Sequence, residues 1–91
     1  MGRKRIAKLV AEGEYQMTQH AYDQMIARDI FIKQVEDALQ NGKVVDKWSE
    51  RGGDKLAIVG ERFNGDDIKV IVKDAEIPRV ITVCYPYESN I

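Results

Sequence analysis

The chain has 91 residues, 44% of them hydrophobic and 32% charged, a mix that suits one modest globular core and excludes both a disordered chain and a multidomain protein. A net charge of −1 argues against a wholly basic nucleic-acid-binding surface, although local patches count for more than the sum. A single cysteine, Cys84, and a single histidine, His20, exclude an internal disulfide, a cysteine-rich zinc site and a histidine-rich metal centre, so neither metal nor cofactor is expected.

With no signal peptide and no apolar run of about 18 residues, the expected location is the cytoplasm, with no membrane partner. Ile6, Leu9 and Val10 predict a first amphipathic helix ending at Gly13. Arg3, Lys4, Arg5 and Lys8 crowd its start and oppose the helix dipole, and they read as a solvated face rather than a phosphate-contacting patch. Glu14 to Met17 is a short extended piece. Thr18 then caps a helix from Gln19 to about Arg28, whose expected core stripe is Ala21, Tyr22, Met25 and Ile26. After a break at Asp29-Ile30, a helix from about Ile32 to Asn41 buries Phe31, Val35, Ala38 and Leu39, and Gly42 stops it.

From Lys43 the period changes from helical to alternating. Lys43–Trp48 is a first strand, and Lys55–Phe63, with the run Leu56-Ala-Ile-Val59, is a central second one. Asn64-Gly65-Asp66 is a hairpin turn. Ile68, Val70 and Val72 mark the third strand, and Arg79–Tyr85, between Pro78 and Pro86, the fourth. The expected fold is α+β: a single domain over residues 1–91, with an N-terminal helix (1–13), a helical region (14–42) and a four-stranded antiparallel sheet (43–86).

The stretch richest in chemistry is Thr18-Gln-His20-Ala-Tyr-Asp-Gln24-Met-Ile-Ala-Arg28. His20, Gln24 and Arg28 recur every four residues and so are expected on one side of the helix. At about 1.5 Å rise per residue, His20 and Arg28 lie about 12 Å apart, a spacing suited to gripping one extended ligand. On the sheet, Arg62, Lys69 and Tyr85 are candidates for a cationic, hydrogen-bonding patch that receives a phosphodiester, with Thr82 beside them. Against this stand plainer readings: a half-buried histidine, an arginine favourable to a helix C-terminus, a solvated sheet face, and a locally bonded Thr82. Cys84 reads as inert core, and Trp48 as core rather than an exposed aromatic.

The run Tyr15-x-x-Thr18-x-His20-Ala21-x-x-x-Met25-x-x-Arg28-x-Ile30, then Val35-Glu-Asp-Ala38-Leu39 and Asn41-Gly42, resembles the small bacterial domain-of-unknown-function family 4258. The ending Val80-Ile-Thr82-Val-Cys-Tyr85-Pro86 is similar to the family's final strand. The resemblance implies the architecture of RelE- and barnase-like (BECR) ribonuclease toxins. It also implies metal-independent cleavage of RNA phosphodiesters, with His20 and Arg28 as catalytic candidates, and a small antitoxin protein as partner. The family usually carries arginine where this chain has Gln24, which leaves one cation fewer for phosphate. The alternative is a catalytically inactive protein-binding module on the same scaffold, monomeric or homodimeric.

Overall fold

The computed structural model describes residues 2–61 and 67–88. Arg62 and the expected Asn64-Gly65-Asp66 turn lie outside the described residues. In chain order the elements are α1 (Arg3–Ala11), β1 (Gln16–Met17), α2 (Gln19–Ala27), α3 (Ile32–Asn41), β2 (Lys43–Trp48), β3 (Lys55–Glu61), β4 (Asp67–Lys73) and β5 (Arg79–Cys84). The fold is α+β, with three helices on a five-stranded mixed sheet of order β1-β5-β4-β3-β2.

The four expected strands form the antiparallel meander β2 to β5. The expectation of a four-stranded, purely antiparallel sheet needs one correction. The short extended piece at Gln16–Met17 pairs in parallel with β5, matching Gln16 to Arg79 and Met17 to Val80. Parallel neighbours need a crossover, and the whole chain from α2 to β4 supplies it. Two residues carry no periodicity, so this strand has no signature of its own.

Side-chain alternation divides the sheet. Leu56, Ile58, Ile68, Val70, Val72, Val80 and Val83 join Ile6, Val10, Ala21, Met25, Val35, Ala38 and Leu39 in one core between sheet and helices. α3 lies on β3 and β4, α2 on β5, and α1 on α3. The approach of α3 to β3 is close: a Cβ on Gly60 would stand 2.6 Å from the Ala38 Cβ, so only glycine fits beneath that helix.

Two predicted stripes change. Tyr22, Ile26 and Phe31 are exposed rather than buried, whereas Gln24 and Gln34 turn inward. Gln34 Oε1 accepts from the Phe31 backbone N–H at the start of α3, a local demand that an apolar pattern does not register. The basic start of α1 is also largely spent on structure. Arg3 donates to the carbonyls of Gln40 and Gly42 at the end of α3. Arg5 pairs with Asp74 and donates to the carbonyls of Ala75 and Glu76 in the β4–β5 loop. Both arginines serve carbonyl-rich chain ends and not a phosphate surface.

Candidate functional site

The position of α2 follows from the shortness of β1. Past Met17, the outer edge of β5 has no strand beside it, and its polar groups are met by α2 instead. Thr18 continues the pairing with its N–H on the Val80 carbonyl (3.0 Å), and its hydroxyl donates to the Ile81 carbonyl (3.2 Å). The same hydroxyl accepts from Ala21 N–H (3.1 Å) and caps the helix, as expected. One turn further on, Gln24 Oε1 accepts from the Val83 N–H at 3.2 Å. Gln24 is 6% exposed, and its side chain meets the edge of β5. A donor-only arginine could not do this.

The side shared by His20, Gln24 and Arg28 is therefore looser than four-residue spacing suggests. At 3.6 residues per turn, eight residues rotate about 80° around the axis. His20 is exposed in the first turn, Gln24 faces β5, and Arg28 caps the far end of α2.

At that far end the structure brings together Arg28, Lys69 and Tyr85. All three meet the turn that follows β5. Arg28 grips Glu88 with both arms of its guanidinium, Nε to Oε1 at 2.9 Å and NH2 to Oε2 at 2.5 Å. Lys69, only 8% exposed, donates through Nζ to the Glu88 carbonyl at 2.7 Å. Tyr85 donates its hydroxyl to the Arg28 carbonyl at 3.1 Å, and its N–H to Glu88 Oε1 at 2.9 Å. Its ring stacks on Tyr87, with centroids 5.6 Å apart.

The charges respond to one another. The hydrogen bond from Arg28, reinforced by the Tyr85 N–H, pulls the Glu88 carboxyl down to about 2. The same pair moves Arg28 upward, with Glu88 the main cause. Cys84 is buried beside them, and desolvation pushes its thiol up despite the nearby Lys69 and Arg28.

Lys69 belongs to the sheet face turned away from the helices. Register places Val59, Lys69 and Cys84 in one row across that face, with Ala57, Ile71 and Thr82 in the next. A concavity of about 330 Å³ opens there, lined by Val45, Asp46, Ala57, Val59, Lys69 and Pro86. Thr82 is buried in its strand, in line with the plainer expectation. Trp48 is partly exposed and shares an outer row with Lys55, Lys73 and Arg79, where a core position was expected.

Glu88 is the residue that sequence reasoning missed. The signal was present in Tyr85-Pro86-Tyr87-Glu88, a proline turn that returns a carboxylate to the strand end. Among the described residues, no group of three or more histidine, cysteine, aspartate or glutamate side chains is placed to hold a metal ion.

Arg28 and Lys69 thus converge on one turn of an α+β domain, beside a shallow sheet-face concavity. The family model Domain of unknown function (DUF4258) matches residues 17–85, more than half of the chain, and the protein belongs to that family. Neither the curated proteins nor the solved structures contain a match. Among the described residues, no helix is long and apolar enough to cross a membrane.

Proposed function

We propose that this domain binds RNA through its phosphodiesters and cleaves it without a metal, as the ribonuclease toxin of a toxin–antitoxin pair with RelE/barnase-like ancestry. The observation that carries the reading is the convergence of Arg28 and Lys69 on Glu88. A guanidinium fork that binds a carboxylate in bidentate fashion also binds a phosphate, and the buried Lys69 ammonium adds a second charge.

In this reading the two ends of α2 do different jobs. Arg28 and Lys69 would hold one phosphate, with Tyr85 or Tyr87 available to stack on a neighbouring base. His20, about 12 Å along the helix, is too far to act on that same phosphate. It would instead serve the next linkage of an extended strand. There the imidazole takes the proton of the ribose 2′-hydroxyl, the 2′-oxygen bonds to phosphorus, and the 5′-oxygen leaves with a proton from water. Arg28 is then a binding residue rather than the stabiliser of the scissile group.

The test is cleavage of single-stranded RNA in the presence of EDTA, together with growth on expression, for wild type and His20→Ala. Loss of both cleavage and growth arrest in the variant is expected. Equal cleavage and equal toxicity would sink the catalytic reading.

One observation favours the alternative of a protein-binding module. Tyr22 and Ile26, one turn apart on α2, are exposed together with Phe31 and Ile32 at the start of α3, with Ile26 at 60% and Phe31 at 63%. Exposed large apolar groups, where they form a contiguous patch, mark protein contacts. Under this reading Ile26→Asp abolishes binding of the protein encoded beside this one and leaves RNA binding untouched.

A further inference from the structure

We propose that the Tyr85–Glu88 turn is an intramolecular competitor for the anion site, with the Glu88 carboxylate occupying the place of a phosphate until RNA displaces it. This inference rests on the reading of Arg28 and Lys69 as phosphate contacts.

Three features of the turn support it. The Glu88 carboxylate takes both arms of Arg28, the arrangement a phosphate would require. The same residue's carbonyl holds Lys69, so one residue engages both cations of the site. Pro86, two residues earlier, forms part of the wall of the concavity that contains Lys69. A four-residue turn thus covers the cations and narrows the adjoining groove at once.

The turn is also held by few contacts that a ligand could not replace. It follows the last residue of β5, and its own closure consists of the Glu88 N–H on the Tyr85 carbonyl (3.0 Å) and the Tyr85 N–H on Glu88 Oε1 (2.9 Å). The bonds from the Arg28 guanidinium and the Lys69 ammonium are the ones an incoming phosphate would take over, while the Tyr85 hydroxyl keeps its bond to the Arg28 carbonyl. Pro86 and Tyr87 are exposed, so residues 86–88 can swing outward about Tyr85, which packs against the core. Because carboxylate and phosphate compete for the same donors, occupancy is set by the difference in their affinities.

The experiment measures binding of a fluorescein-labelled single-stranded oligoribonucleotide by anisotropy, for wild type, Glu88→Gln, Arg28→Ala and the double variant. Glu88→Gln keeps the shape of the side chain and removes its charge. It should bind about fivefold tighter or more, the scale of releasing one partly exposed ion pair. Adding Arg28→Ala should abolish that gain. If Glu88→Gln binds like wild type while Arg28→Ala binds more weakly, the competitor is refuted and the phosphate site stands. If Arg28→Ala and Lys69→Ala leave wild-type binding unchanged, the phosphate site itself is refuted.

A second measurement needs no variant. On saturation with the oligoribonucleotide, the Tyr85 amide should lose its bond to Glu88 Oε1, with a changed NMR shift and faster hydrogen exchange. A Tyr85 amide that stays unchanged in the saturated complex overturns the proposal.

Discussion

Replacing Gln24 by methionine should destabilise the fold without weakening the proposed RNA binding. Methionine matches the length and volume of glutamine and leaves little cavity, so the change removes the amide with little loss of packing. The Val83 N–H, in a strand position with no exposure, loses the Oε1 oxygen 3.2 Å away. A buried donor left unsatisfied costs about 1–3 kcal/mol. For a domain of this size each kcal/mol lowers Tm by about 4–8 °C. Urea unfolding followed by circular dichroism should therefore show a lower midpoint at an unchanged slope, because the surface exposed on unfolding is the same. Hydrogen exchange should place the weakness at the Val83 amide. Gln24→Arg should be destabilised as well, since guanidinium is a donor only, even though it adds a cation near the proposed site. A Gln24→Met protein within about 0.5 kcal/mol of wild type, the scatter of neutral surface changes, would refute the claim that Gln24 completes the β5 edge.

Acid stability should carry the mark of Glu88. Its folded-state value of about 2 lies below the ordinary 4.5, so its contribution is full above 4.5 and is lost as pH falls through about 2. The stability difference between wild type and Glu88→Gln, about 1 kcal/mol for a partly exposed pair at neutral pH, should shrink over that window in pH-dependent urea titrations. Gly60→Ala should cost about 1–3 kcal/mol, because its methyl group would meet the α3 backbone at Ala38; a variant as stable as wild type would show that α3 can move aside. Thr18→Val should cost about 1–2 kcal/mol through loss of the cap and of the bond to the Ile81 carbonyl, and Thr18→Ser should restore most of it in thermal melts.

The order of helices and strands was legible along the chain because hydrophobic period is a local property. Thr18 as a cap, Gly42 as a stop, the stripe Val35-Ala38-Leu39 and the alternation at Ile68-Val70-Val72 each act within a few residues, and the structure places each as expected. Period also fails locally where a polar group has a distant partner. Gln24 displaces Ile26 from the buried face because Val83, 59 positions away, needs an acceptor. The extended piece at Glu14 to Met17 was legible, but its pairing was not, because the parallel partner lies more than 60 residues on.

The candidate site divides along the same line. The residue types that recognise phosphate, Arg28 and Lys69 with Tyr85, were visible in the sequence, as was the family motif around His20. What only the tertiary structure decided is which of them meet. Helix rotation separates His20 from Arg28, while the β4–β5 register and the turn after Cys84 bring Lys69, Tyr85 and Arg28 onto Glu88. Charge and chemistry are written residue by residue. Convergence depends on long-range register and on the turn of the chain, and these are set only when the whole core closes.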